Sequence, residues 1–294
     1  EKMRYQLNML DTLDVFTRKH SENVASLTCR ICEYLHCTKG FTEYCTICAY
    51  LHDIGKLYIP PQILQKPGRL TDEEFEIMKT HTTIGYDICM KDLKLRPYAA
   101  GPLYHHEALN GTGYPQGLTK KDIPYEAQII TVADEYDAIV SKRQYKTHIG
   151  ISDTLKLIID AQPGKGLDKS SALSEISSIA KLGKVNPIIV KCLFKVVLDD
   201  IYYEITCTQS YLDDIQDDLN RFKQIEKYEI KMNEAKTEKK KNYYMEGIKI
   251  LLKKEETFED YKRLYAEYSE AYTKRKAIID NLWHEAKIIK KLKV

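Results

Sequence analysis

Ala49-Tyr50-Leu51-His52-Asp53-Ile54-Gly55-Lys56 is the stretch that decides how this chain is read. It closes an apolar, helix-patterned run on an adjacent histidine and aspartate. The imidazole offers one nitrogen ligand, and the carboxylate can bridge two cations. Such a pair is common by chance, so its weight comes from the residues downstream. His81 comes next, then His105-His106-Glu107, the turn Gly111-Thr112-Gly113-Tyr114-Pro115, and Asp134. Histidines and carboxylates that converge in this way build metal sites.

Outward from that stretch the patterning is helical almost throughout. Val24, Leu27, Ile31 and Leu35 recur at helical spacing, with Ser21 as the candidate N-cap. Thr71-Asp72-Glu73-Glu74 opens a helix with a capping-box pattern and delivers His81 at its end. Glu107 to Pro124, rich in glycine and proline, reads as a loop. Tyr125 to Val140 is helical again, with Ala127, Ile130, Asp134 and Asp137 at threes and fours. Further helices are expected over 154–161, 170–181 and 187–198. Beyond Cys207 the chain turns charged and tyrosine-rich. Phe258, Tyr261, Tyr265, Tyr268, Tyr272, Ile279, Leu282, Ala286 and Ile289 hold a heptad, with Arg275 as a polar intruder. Lys236 to Asn242 lacks apolar anchors and is the expected turn between two antiparallel helices. The tyrosine stripe reads as a packed helix face. The expected fold is all-α, with a helical bundle over residues 1–207 and a C-terminal helical hairpin or coiled coil over 208–294.

Composition excludes several classes. The 294 residues carry a net charge of +2, which gives no electrostatic case for a nucleic-acid polymer. No apolar run approaches the roughly 20 residues a membrane span needs, and no secretion-signal pattern is visible. Eight cysteines then read as reduced thiols of a cytoplasmic protein. Cys29-x-x-Cys32 with Cys45-x-x-Cys48 matches a four-thiolate zinc spacing. Both pairs fall inside helix-patterned segments, where tight thiolate turns cannot form, so they are read as small core residues.

The ordered motifs resemble the HD-GYP family of HD metal phosphohydrolases, which hydrolyse the bacterial second messenger cyclic di-GMP. The resemblance rests on His52-Asp53-Ile54-Gly55-Lys56, Lys66-Pro67-Gly68-Arg69-Leu70-Thr71, His105-His106-Glu107, Gly111 to Leu118, Ile123-Pro124, Val132-Ala133-Asp134 and Asp137 to Lys146. It is strong over about residues 10 to 150, weak to about 200, and absent from the C-terminal tail. It implies an HD-type helical bundle over 1–207 and a dimetal phosphodiesterase. His20, His52, Asp53 and Asp134 would hold one metal. Asp53 would bridge to a second, held by His81, His105 and His106. Imidazole with carboxylate suits iron or manganese. Two such ions activate water and neutralise phosphoryl charge. By the same resemblance, Lys56 stabilises charge at the scissile phosphate, Arg143 and Lys146 hold the substrate, and Tyr114 shapes the pocket.

Three positions depart from the family pattern. Phe16 stands where a subset has a glutamate for a third metal, so two metals are expected. Leu109-Asn110 replaces Trp-Asp, and Gln128 replaces an arginine. The expected substrate is cyclic di-GMP, cleaved to the linear dinucleotide or GMP. The alternatives are 3',3'-cyclic GMP-AMP, and a weakly active sensor signalling through its C-terminal helices. The heptad run makes a homodimer through those helices an expectation too. His36, His148 and His284 fit no motif.

Overall fold

The computed structural model describes residues 15–141 and 168–294. Among them there is no strand, and the one isolated bridge pairs Asn110 with Thr119. The α-helices, in chain order, are α1 (Val15–Tyr34), α2 (Lys39–Leu51), α3 (Pro61–Leu64), α4 (Asp72–Lys79), α5 (His81–Lys91), α6 (Ala100–Tyr104), α7 (Tyr125–Val140), α8 (Lys169–Lys181), α9 (Pro187–Glu234), α10 (Glu238–Leu251) and α11 (Asp260–Ile289). Short 3-10 turns occupy Ile54–Tyr58 and Arg96–Tyr98. The described residues form two compact units, one within Glu1–Leu198 with Ile288–Val294, the other Asp199–Lys287.

In the first unit, α7 is the central helix. Pro124 precedes it, and its residues from Ala127 to Asp137 are all buried. A helix buried on every side is a core helix, and its buried carboxylates Asp134 and Asp137 reach His20. It packs against α1, α2, α6 and α8. Helix α1 runs through Ser21, which is fully buried in mid-helix. The expected N-cap role is therefore wrong, because the helix already begins at Val15 and its buried side includes Thr17 and His20 ahead of Ser21. At its other end α1 stops with His36 in the left-handed region (φ 56°). The His36 and Cys37 amides bond back to Glu33 and Cys32, which satisfies the last carbonyls.

Helix α2 starts at Thr38, whose hydroxyl accepts from the Phe41 amide, and it ends at His52. The capping box is present: Thr71 and Glu74 bond each other's backbone amides. It opens α4, which closes at Lys79, so His81 opens α5 instead of ending the same helix. The cysteines of both C-x-x-C pairs lie in α1 and α2 as free thiols.

In the second unit, the last part of α9 with α10 and α11 forms a three-helix core. Phe222, Ile225, Ile248 and Tyr261 are buried there, with Tyr228, Tyr265 and Tyr268 packed around them. The heptad stripe is therefore a packed face. The chain already turns at residues 235–237, and α10 fills Glu238–Leu251, so the turn does not continue to Asn242 as the pattern suggests. Lysines whose charges stay in water do not prevent a helix, and Ile248 supplies the missing apolar anchor. Gly247 is where α10 meets the Tyr228 ring, since a Cβ would lie 2.7 Å from it. Arg221 clamps the segment after α10: it bonds Glu256 through both Nη atoms and reaches the Leu251 carbonyl. Arg275, the polar intruder, lies over the Tyr211 ring at 4.4 Å. The expected helix over 154–161 lies outside the described residues.

Candidate metal centre

His52 and Asp53 sit where α2 breaks into the 3-10 turn, and their ligand atoms come within 3.3 Å of each other. Gly55 makes that turn possible. A Cβ there would lie 1.9 Å from the His81 carbonyl oxygen, so only glycine lets the turn lie against the start of α5. His20 comes from the middle of α1, His105 and His106 from the end of α6, and Asp134 from α7. His20, His52, Asp53, His81, His105 and Asp134 are each no more than 2% exposed, while His106 is half-buried.

These residues form two groups around one carboxylate. The ligand atoms of His20, His52 and Asp134 lie within 4.8 Å of one another, as do those of His81, His105 and His106. Asp53 stands between the groups. Its Oδ2 lies 3.3 Å from His52 Nε2 and 3.7 Å from His20 Nε2. Its Oδ1 lies 3.5 Å from His81 Nε2 and 3.9 Å from His105 Nε2.

The ring nitrogens reveal what the site wants. His52 Nδ1 is 2.6 Å from the Ala49 carbonyl, His81 Nδ1 is 2.7 Å from that of Met78, and His105 Nδ1 is 2.9 Å from that of Pro102. His20 Nδ1 is 2.6 Å from the Asp137 carboxylate. Each acceptor assigns the proton to Nδ1 and leaves Nε2 as a bare lone pair. Yet the Nε2 atoms of His20 and His52 face each other at 3.3 Å, and those of His81 and His105 at 3.2 Å. Facing lone pairs at that distance repel. Two nitrogens at 2.0–2.1 Å from one ion would sit roughly 3 Å apart. The buried Asp53 Oδ1 has no hydrogen-bond partner, and such an atom is costly unless a cation meets it. The donor set fits a two-metal site.

Electrostatics point the same way. Burial alone would disfavour the Asp53 carboxylate, but Lys56 and then His52 hold it well below the usual range. Lys56 Nζ is 2.5 Å from Asp53 Oδ2. Burial lowers His81 to about 4, with help from Lys56, and takes His105 well below its usual value. Both rings are therefore neutral and able to ligate at neutral pH. Burial opposes charge on His52 as well, but Asp53 and Asp134 raise it. The carboxylates thus draw positive charge to that spot.

Two supporting residues carry no sequence assignment. Asp137 accepts from Asn23 and Ser141 as well as holding His20. Its signal is legible: it comes three residues after Asp134 and so shares its helix face. Glu107 is 2% exposed, and its two oxygens accept the amides of Gln116 and Leu118 at 2.7 and 2.8 Å. It therefore pins the Gly113–Leu118 turn. Tyr114 in that turn stacks on His106, with centroids 4.8 Å apart. Gln128 bonds Asn186 and the Ile123 carbonyl, and Asn110 caps the glycine turn at Thr112. These two departures from the family pattern are thus built into local hydrogen bonding. Arg143 and Lys146 lie outside the described residues.

The chain is similar to several known proteins. A family model described as HD domain matches residues 4–170. A cyclic di-GMP phosphodiesterase of Thermotoga maritima is 48% identical over 143 residues, covering 48% of this chain and 39% of that protein. The cyclic di-GMP phosphodiesterase PdeB of Borreliella burgdorferi is 38% identical over 180 residues, covering 55% and 47%. A 3'3'-cGAMP-specific phosphodiesterase of Vibrio cholerae is 34% identical over 150 residues, covering 51% and 33%. The chain spans less than half the length of each of these relatives.

Proposed function

Because the chain belongs to the HD domain family, in its HD-GYP branch, we propose that it is a dimetal phosphodiesterase acting on a cyclic dinucleotide, with cyclic di-GMP as the preferred substrate. One observation carries this reading: the two oxygens of buried Asp53 each face a separate pair of histidine nitrogens. In this reading His20, His52 and Asp134 would hold one ion, His81, His105 and His106 the other, and Asp53 would serve both. Histidine with carboxylate supports iron or manganese. When bound, the pair supplies charge stabilisation for an in-line displacement at phosphorus. The chain's own residues do the rest. Lys56 balances the Asp53 charge and stands beside the scissile phosphate. The loop pinned by Glu107 places Tyr114 against His106. Arg143 and Lys146 take the substrate's phosphate and base. No helix among the described residues is long and apolar enough to cross a membrane, and the free thiols support a cytoplasmic location.

The similarity to a 3'3'-cGAMP-specific enzyme supports the second reading, a preference for that substrate. The test is to incubate the metal-loaded protein with cyclic di-GMP and 3',3'-cyclic GMP-AMP and follow products by chromatography. Linear dinucleotide or GMP appearing faster from cyclic di-GMP is expected. A faster reaction with the mixed dinucleotide selects the second reading, and no hydrolysis of either refutes both. We further assign homodimerisation to the C-terminal helices, where Tyr203, Ile250 and Trp283 are exposed. Sedimentation at twice the chain mass is expected.

A further inference from the structure

We propose that Lys79 is a substrate-binding residue that takes the second phosphodiester of the cyclic dinucleotide, the one not being cleaved. The proposal rests on the function proposed above. Lys79 ends α4, two residues before His81. Its ammonium lies 5.8 Å from the centroid of the Tyr114 ring and 5.5 Å from that of Phe75. Tyr114 in turn stacks on His106 and lies 6.5 Å, centroid to centroid, from His81. One aromatic ring therefore separates this cation from the second group of histidines.

The chemistry of the substrate asks for such a group. A cyclic dinucleotide has two phosphodiesters in one ring, each with a negative charge. Lys56 is nine-tenths buried and engaged with Asp53, so it serves only the phosphate at the metals. In this proposal the second phosphate meets the half-buried rim formed by His106, Tyr114 and Phe75, and Arg143 and Lys146 are left to the first phosphate and the base. Lys79 is at that rim with its side chain 25% exposed. Its ammonium is held over two rings, which limits the rotamers it must give up on binding. Its ion-pair partner, Glu76 at 2.5 Å, is 69% exposed and can yield to a phosphate. Exposed pairs of this kind are weak, whereas ammonium–phosphate bonds are charge-assisted.

Lys79→Met keeps an unbranched side chain of similar length and removes the charge. It should raise KM for cyclic di-GMP about tenfold with kcat within about twofold, the pattern of a lost uniform binding contact. The loss of kcat/KM should be at least about five times smaller for bis(p-nitrophenyl) phosphate, which has one phosphodiester. Lys79→Arg should retain most of the affinity, and Glu76→Gln should lower KM by releasing the ammonium. Metal content, by elemental analysis, should match the parent protein in every variant. An unchanged KM in Lys79→Met, or an equal loss with the single-phosphodiester substrate, overturns the proposal alone. A parent protein that holds two metals and cleaves no cyclic dinucleotide overturns the functional reading, and this proposal with it.

Discussion

At the scale of single residues, the site is a problem of where protons and lone pairs go. Asp53 touches both histidine groups, so Asp53→Ala should cost at least one of two bound metals and lower activity by about 100-fold or more. Elemental analysis with a hydrolysis assay checks this, and full metal content in the variant refutes the bridging role. Asp137 acts one step further out, through His20 Nδ1. Asp137→Ala should weaken metal binding by about 10- to 100-fold, read by chelator competition. The same residues set the acid response of the metal-stripped protein. His81 stays neutral down to about 4, and His105 also lies well below its usual value. The unfolded chain takes up protons near 6.5, so acidification between about 6.5 and 4 favours unfolding. His52 works the other way: its raised value contributes stability below about 6.5 that is lost as pH rises through it. Glu135, which burial raises to about 8, also contributes stability that is lost as pH rises. The histidine contribution is therefore read from a variant: the denaturant midpoint of His81→Gln should fall less, or rise more, between pH 7 and pH 5 than that of the parent. An identical pH dependence in the two proteins contradicts this assignment.

At the scale of elements, ligands are held by backbone packing that tolerates no side chain. The turn Ile54–Tyr58 lies on α5 only because residue 55 is glycine. Gly55→Ala should drive the turn off the His81 carbonyl and destabilise the fold by about 1–3 kcal/mol or more. A urea midpoint unmoved by this change would show that the turn relaxes without cost. Gly113 has the same role in the loop, where a Cβ would lie 2.3 Å from the Ala108 amide nitrogen. The capping box, the α7 span and the α8 span match the sequence pattern closely, because caps and apolar periodicity are local. The start of α1, the break between α4 and α5, and the helix over Glu238–Leu251 do not. Each depends on what the segment packs against.

At the scale of the whole molecule, the end of the chain returns to the unit that holds the site. Ile288–Val294 belongs to the same compact unit as the metal centre. Ser177 Oγ donates to the Lys293 carbonyl at 2.6 Å, and Ile289 is 1% exposed. Deleting Ile288–Val294 should therefore destabilise the unit that holds the metals, by about 2–3 kcal/mol from one lost apolar side chain and one hydrogen bond. Thermal unfolding of the metal-loaded protein checks it, and an unchanged midpoint would show that these residues contribute nothing. Truncation after Cys207 removes this set of contacts along with the three-helix unit, so the shorter deletion separates the two effects.

What the sequence determined by itself was the all-α class and the order of the helices around the site, which come from local periodicity. The candidate histidines and carboxylates, and their division into two groups, came from the ordered motifs and the family resemblance they carry. Only the tertiary structure decided which oxygen of Asp53 faces which histidine group, and that Glu107 and Asp137 hold the loop and His20. Those depend on distances between residues up to 117 positions apart, which burial of α7 sets and no local pattern encodes. The tail shows the same division. Its heptad announced a packed stripe, but the stripe's partners, Phe222 and Ile248, became known only once α9 and α10 were seen to close over it. A heptad states which face must be buried, and the chain's own turns decide what buries it.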